Sequence, residues 1–229
     1  MSCSRKTKDS TAKEFYFPYR TFFHSPVVYR YVNENDSTDF SNWVMESSII
    51  GKDTILRTEI HHPGQGSITE SFSEKITGSG TLVQNYILFS QDSTGKSESE
   101  TCKIIQDSVF KWNYLEGDSS VWKVSYAEQG RKMEMLKARL FTGDSVVFTI
   151  LGKDHTCMEF YDRYVINVLP LTEKKEEHYS YFVQSYYAKG IGLVGYKLSL
   201  PGAKRKDFIL KKVIRPDMDP PPAQGQMTL

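Results

Sequence analysis

Residues 186–202 read Tyr186-Tyr187-Ala188-Lys189-Gly190-Ile191-Gly192-Leu193-Val194-Gly195-Tyr196-Lys197-Leu198-Ser199-Leu200-Pro201-Gly202, and the meaning given to their glycines decides the fold. Positions 190–195 satisfy G-x-G-x-x-G, the pattern that opens dinucleotide-binding units. Such glycines work by turning a strand into a helix whose first amides meet a pyrophosphate. After Gly195 the chain has an alternating strand pattern that ends at Pro201-Gly202, with too little length left for a further βαβ unit. A kinase-type loop would need a whole catalytic apparatus downstream, and only 34 residues remain. The stretch therefore reads as strand. If continuous, it places Tyr186, Ala188, Gly190, Gly192, Val194, Tyr196, Leu198 and Leu200 on one face. Gly190, Gly192 and Gly195 are then structural glycines: they admit a bulky group from another layer, or a ligand, and permit a kink or bulge.

The same alternation recurs outward along the chain. Strands are expected near Val27–Asn33, Ser41–Ile50, Thr54–His61, Ser67–Ile76, Gly80–Ser90, Ser97–Ile105, Val109–Leu115, Val121–Ala127, Met133–Phe141, Ser145–Leu151, Cys157–Leu169, Tyr179–Leu200 and Asp207–Ile214. Turn chemistry separates them: Gly51-Lys52, Gly78-Ser79-Gly80, Gly117-Asp118, Gln129-Gly130, Thr142-Gly143-Asp144 and Pro201-Gly202. Trp122, Val124 and Tyr126 alternate with Lys123 and Ser125. Leu136, Ala138 and Leu140 alternate with Lys137 and Arg139. Both apolar rows are expected to face the core. A short helix or turn is the alternative reading at the start of 151–164, where Asp154-His155-Thr156 resembles an N-cap. The class is all-β: a single curved antiparallel sheet forming a half-barrel, barrel or sandwich, with few short helices. Three segments are expected: a polar tether over residues 1–13, one β domain over 14–215, and a Pro-rich tail over 216–229 whose composition cannot offset its ordering entropy.

Composition limits the function classes. With 29 Lys+Arg against 28 Asp+Glu the formal charge is +1, so no global field steers the protein to nucleic acid. The local runs Lys204-Arg205-Lys206 and Lys211-Lys212 read as solvated loop or strand edge. No run approaches the ~20 apolar residues of a helical membrane span. Cys3 stands beside the amino terminus and is followed by a polar stretch, as at the mature end of a bacterial lipoprotein, where the cysteine carries the acyl chains. On that reading the upstream apolar segment is missing from the sequence as given, and Cys3 is the lipid anchor. The alternative is a cytoplasmic protein with an incidental cysteine. With Cys3 acylated, Cys102 and Cys157 form an even pair that can bridge in an oxidising compartment; buried free thiols are the alternative.

No catalytic residue and no metal or cofactor site is assigned. Glu59 and His61 share a strand face, Asp154 adjoins His155, and Glu159, Asp162, Glu176 and Glu177 supply further carboxylates, but no spacing among them demands chemistry. His61 and His62 would point to opposite faces of a strand, and before Pro63 they read as decorating a turn. Asp92-Ser93-Thr94-Gly95-Lys96 is accounted for as a hairpin turn. The 14 Tyr, 13 Phe and 3 Trp either line a cavity for an apolar ligand or fill a core. The cluster of Tyr179, Tyr181, Tyr186 and Tyr187 on an exposed sheet would instead suit protein partners.

Two stretches carry a family resemblance. Tyr186-Tyr187-Ala188-Lys189-Gly190-Ile191-Gly192-Leu193-Val194 resembles the late signature Y-A-x-G-x-G-L-V of bacterial envelope lipoproteins with a strongly curved antiparallel sheet, broadly similar to the half-barrel of Lol-type carriers. Phe15-Tyr16-Phe17-Pro18-Tyr19 with Val28-Tyr29-Arg30-Tyr31 is similar to their aromatic, Pro-containing entry. The resemblance covers the tether, the first strand and roughly the last forty residues. It implies a half-barrel anchored in the bacterial cell envelope, at the outer membrane on its periplasmic side or surface. The expected function is a non-enzymatic one: binding an apolar ligand or lipid, or serving in a membrane-associated assembly. A hydrolase with a carboxylate/histidine site on the same scaffold and a purely structural interaction domain are the alternatives.

Overall fold

The computed structural model describes residues 11–62, 68–91, 97–128, 131–170 and 176–215. Thirteen strands follow two short 3-10 turns at Ala12–Phe15 and Tyr19–Thr21. They are β1 (Val27–Asn33), β2 (Asp36–Ile50), β3 (Asp53–His61), β4 (Ile68–Ile76), β5 (Gly80–Gln91), β6 (Ser97–Thr101), β7 (Lys103–Lys111), β8 (Ser119–Glu128), β9 (Arg131–Ile150), β10 (Lys153–Pro170), β11 (Glu177–Ala188), β12 (Gly192–Ser199) and β13 (Lys206–Ile214). Antiparallel pairing of neighbours along the chain makes a meander, with both β6 and β7 pairing with β5. Val28 of β1 pairs with Ile214 of β13, which closes the ring. β6 and β7 run in line, parted at Cys102, and together count as one stave of a closed twelve-stranded barrel.

The half-barrel implied by the resemblance is thus corrected to a full barrel, and the sandwich is excluded. Closure has a physical return: an open sheet leaves two rows of unpaired amides and carbonyls at its edges, and here β1 and β13 satisfy each other. Bulges at Arg30/Tyr31, Ser73/Glu74 and Tyr186/Tyr187 help the strands to curl.

Several expected boundaries move. Residues 133–150 belong to one strand, β9, because Thr142-Gly143-Asp144 forms a bulge opposite Glu159 and not a hairpin turn. Residues 179–200 hold two strands joined by a turn at Lys189-Gly190, where Gly190 has φ +74°. The continuous one-face row through Gly190 is therefore absent. No helix opens the 151–164 stretch; β10 starts at Lys153. Residues 112–118 turn the chain from β7 into β8 and do not extend a strand to Leu115. Ala12 is fully buried in the core, two residues inside the expected tether. Residues 1–10, with Cys3, and the tail from 216 lie outside the described residues.

Eight strands make an interior just wide enough for side chains to fill. Twelve leave an excess. The segment 12–22 occupies it at one end: Tyr16, Phe17, Tyr19 and Phe22 are buried, Gly190 N–H donates to the Glu14 carbonyl at 2.8 Å, and Ser47 N–H donates to the Phe22 carbonyl at 3.1 Å. This plugged end carries the β2–β3, β4–β5, β7–β8, β9–β10 and β11–β12 turns. Gly192, at φ +98°, is where a Cβ would collide with the Phe17 ring, so a side-chain-free position lets the plug press against the barrel wall. Gly195 lies against the β13 backbone, where a Cβ would sit 3.1 Å from the Phe208 carbonyl oxygen.

Candidate functional site: the barrel interior

Above the plug the barrel encloses a cavity of about 420 Å³. Its floor is Tyr16 and Phe17. Its walls are largely aromatic, with Trp43, Phe72, Tyr86, Trp122, Tyr187 and Tyr196 among them, and at the far end it reaches His62 and Leu200. Tyr164 and Tyr181, on neighbouring strands, stack at 4.6 Å with planes 6° apart. The volume lies within the roughly 300–1,000 Å³ typical of small-molecule pockets.

A charged group is set into this aromatic wall. Arg139 of β9 donates to Asp162 of β10 through Nε–Oδ1 at 2.7 Å and Nη2–Oδ2 at 2.8 Å, and the two side chains are only 4% and 1% exposed. Lys137 Nζ lies 3.1 Å from Asp162 Oδ2 and is 13% exposed. Ser185 donates a fourth hydrogen bond to the carboxylate at 3.3 Å. The guanidinium also stands over the Tyr187 ring, 5.0 Å from its centroid, and the Lys137 ammonium stands 5.0 Å over Tyr164. Burial by itself would raise the Asp162 carboxyl, but the charges of Arg139 and Lys137 outweigh it and hold the group down at about 2. Burial would likewise lower Arg139, and Asp162 more than compensates.

Across the barrel, Glu74 accepts from Tyr16 Oη at 2.7 Å and Thr81 Oγ1 at 2.8 Å. Its carboxyl is raised, chiefly by burial, with the two donors acting in the opposite sense. Further along β4, Glu70 accepts from Tyr86 Oη.

This site corrects the parity expected for β9. Met135, Lys137 and Arg139 face the interior, whereas Leu140, expected in the core, is 42% exposed. The reason is tertiary. Two cations can be buried on β9 because β10 presents Asp162 and Tyr164 at the right register, Arg139 pairing with Asp162 and Lys137 with Tyr164. β8 meets expectation, with Trp122 and Val124 inward.

The other candidates do not assemble. Glu59 and His61 point outward from β3 and lie 3.7 Å apart, while His62 lines the cavity. Asp154 and His155 belong to the start of β10, diametrically opposite β3 in the strand order; Asp154 accepts from Thr149 at 2.6 Å. Glu159 pairs with Gln184 on the outer face. Glu176 and Glu177 are exposed at the start of β11. Asp162 alone of that set enters the interior. Among the described residues no three His, Cys, Asp or Glu side chains gather as a metal site. The bridge between Cys102 and Cys157 is corrected: they are separate free thiols, both buried and in different core clusters. Of the tyrosine cluster, Tyr179 is exposed, Tyr181 and Tyr187 face inward, and Tyr186 is covered by Phe148 at 4.5 Å, so the four do not form a continuous exposed face. Arg205 and Lys206 are engaged by Asp207 and Asp39, while Lys211 and Lys212 are exposed. Residues 92–96 lie outside the described residues.

No protein-family model matches this chain, and no curated protein matches it. Among solved structures it is similar to a proposed lipoprotein from Parabacteroides distasonis ATCC 8503, at 11% identity and a TM-score of 0.49, over 87% of this chain and 98% of that one. It is also similar to a proposed exported protein with a YmcC-like fold from Bacteroides fragilis NCTC 9343, at 10% identity and a TM-score of 0.47, over 82% and 95% of the two chains. The hypothetical lipoprotein YmcC from Escherichia coli K12 gives 7% identity and a TM-score of 0.31, over 83% and 87%. Likenesses this remote transfer no ligand and no activity, and the barrel rests on its own strand pairings.

Proposed function

We propose that this chain is a cell-envelope lipoprotein, anchored through Cys3, whose barrel holds one amphiphilic ligand without transforming it. The observation that carries the binding role is the aromatic cavity of about 420 Å³ with Lys137 at its wall. An ammonium group has three donors. Lys137 directs one toward Asp162, which leaves donors for a polar head group while the rings receive an apolar body. A fully apolar filling would not need buried charges, whose desolvation is costly even when paired. A binding role without catalysis is favoured because Glu59 with His61 and Asp154 with His155 sit on opposed strands, and none of the four lines the cavity. Anchoring is favoured by Cys3 and the polar residues after it, which lead directly into the plug.

The test begins with protein isolated from its own membranes. Intact mass should show acyl adducts on Cys3, and solvent extraction should release a small amphiphile in about equimolar amount. A Val183→Phe variant, which narrows the cavity wall, should keep the adduct and lose the extracted species. If wild type and variant bind neither an extracted species nor a fluorescent fatty-acid probe such as cis-parinaric acid, the binding role is wrong.

A further inference from the structure

The plugged end of the barrel exposes aliphatic side chains on its turns. Five of the eleven large exposed hydrophobic side chains among the described residues, Ile49, Ile50, Leu115, Val147 and Leu151, lie on its turns or the strand ends beside them; the other six include the aromatic side chains Tyr161, Tyr179 and Phe182 on β10 and β11. Two of the hairpin tips have nearly the same sequence: Ile49-Ile50-Gly51-Lys52-Asp53 and Ile150-Leu151-Gly152-Lys153-Asp154. Each offers an aliphatic side chain to solvent, Ile50 at 66% and Leu151 at 52% exposure, and each places a glycine and an exposed lysine after it. Leu151 has φ +51° beside Gly152 at φ +78°. That two-residue turn favours Asn-Gly, and a leucine there is disfavoured by its own backbone while contributing nothing to the core. Folding does not explain an exposed leucine at this position.

The amino-terminal chain enters the barrel at the same end. Thr11 is exposed and the next residue is buried in the plug. Eight peptide steps separate Thr11 from Cys3, a reach of about 28 Å at full extension. A bilayer holding an acyl group on Cys3 is therefore never much further than that from the point where the chain enters this end. Single exposed aliphatic side chains are ordinary, but a set of them on three of the five turns of one end, two of them followed by a lysine, is an interaction surface. Aliphatic tips that dip into the headgroup region, with lysines reaching to lipid phosphates, are the chemistry of interfacial binding.

We propose that the plugged end is the membrane-facing end: Ile50, Val147 and Leu151 insert at the bilayer interface, and Lys52 and Lys153 contact anionic headgroups. The cavity then opens away from the lipid surface. The occupant is a lipid surface and not a protein, because the anchor that would present it belongs to this chain. The inference rests on the reading of Cys3 as an acylated anchor for the tether distance and for the choice of occupant, and the experiment separates the two.

Full-length Cys3→Ser protein, which cannot be acylated, is mixed with vesicles of phosphatidylethanolamine and phosphatidylglycerol (about 7:3) and sedimented. It should bind weakly and lose binding as salt rises. Ile50→Ser with Leu151→Asn should reduce the partition coefficient about tenfold or more. Leu151→Asn suits the turn, so unchanged thermal melting will show that the fold persists. Lys52→Glu with Lys153→Glu should remove the preference for phosphatidylglycerol. If the Cys3→Ser protein binds no better than the rim variants, or if the rim variants change its sedimentation without vesicles, the membrane-facing assignment is overturned, the second result in favour of self-association. Vesicle binding in a protein whose native form lacks acyl chains would keep the surface and discard the anchor.

Discussion

Arg139 grips Asp162 through two parallel hydrogen bonds inside the barrel, and Lys137 reaches the same carboxylate at 3.1 Å. The pair joins adjacent strands at a point where each side chain is almost wholly removed from water. Removing one partner leaves an uncompensated buried charge. Asp162→Ala or Arg139→Met alone should therefore cost about 3–5 kcal/mol in urea unfolding, and the double variant Arg139→Met/Asp162→Leu should cost clearly less than the sum of the two, the remainder reflecting Lys137 left without its carboxylate. Additive losses in the double variant would show that the pair is not coupled.

The same carboxylate sets an acid limit. Its folded value, about 2, lies below the ordinary 3.8, so its contribution is complete well above the ordinary value and disappears as the pH falls toward 2. The difference corresponds to about 2 kcal/mol. Asp162→Asn should lower stability at neutral pH and flatten the decline between the ordinary and the folded value, measured by denaturant midpoints across that range.

Glu74 has the opposite sign. Its folded value is raised, so the stability that it contributes is fully present below the ordinary 4.5 and lost as the pH rises through the folded value. Glu74→Gln should become more stabilising relative to wild type as the pH rises above the ordinary 4.5, and level off once the folded carboxyl is ionised. Tyr16→Phe removes one of the two donors to Glu74 and should cost about 1–3 kcal/mol, with faster amide exchange in residues 12–22. Unchanged exchange there would mean that the hydrogen bond does not hold the plug.

Gly192 and Phe17 form the joint between plug and wall. Gly192→Ala meets both an unfavourable backbone, φ +98°, and the Phe17 Cα at 3.0 Å, and should cost about 2–4 kcal/mol with early proteolysis in the plug. Gly51→Ala, at φ +63° but in open space, should cost only about 1 kcal/mol. Equal costs at the two sites would assign the whole effect to backbone strain.

The buried thiols give a chemical readout. Burial pushes Cys102 up to about 12 and Cys157 up to about 11, so neither supplies thiolate at neutral pH. Iodoacetamide should leave both unmodified in the folded protein and alkylate both in urea, as read by peptide mass. Fast labelling of either one in the native state would contradict the closed core.

The strand boundaries read from alternation and turn chemistry fall close to those observed wherever a strand is short and ends at a glycine or asparagine turn. Val27–Asn33 coincides with β1 and Asp207–Ile214 differs from β13 by one residue. The readings fail where one local pattern serves two structures. Thr142-Gly143-Asp144 has the chemistry of a hairpin and is a bulge, because β10 pairs on both sides of it. Lys189-Gly190 sits inside an apparently continuous run and is the turn. The row Leu136, Ala138, Leu140 is legible as apolar but not as outward-facing.

The sequence by itself determined that the chain is an antiparallel meander: side-chain alternation and turn propensity act over a few residues and survive in any context. It also marked Cys3 and the aromatic entry before the first strand. Only the tertiary structure decided that the meander closes, that residues 12–22 plug it, and that Lys137, Arg139 and Asp162 meet inside. Closure depends on β1 and β13 meeting across most of the chain's length, and burial of a cation depends on a carboxylate that lies 23 residues from Arg139. Such long-range pairings leave no local pattern to read, since each partner alone looks like an ordinary solvated charge.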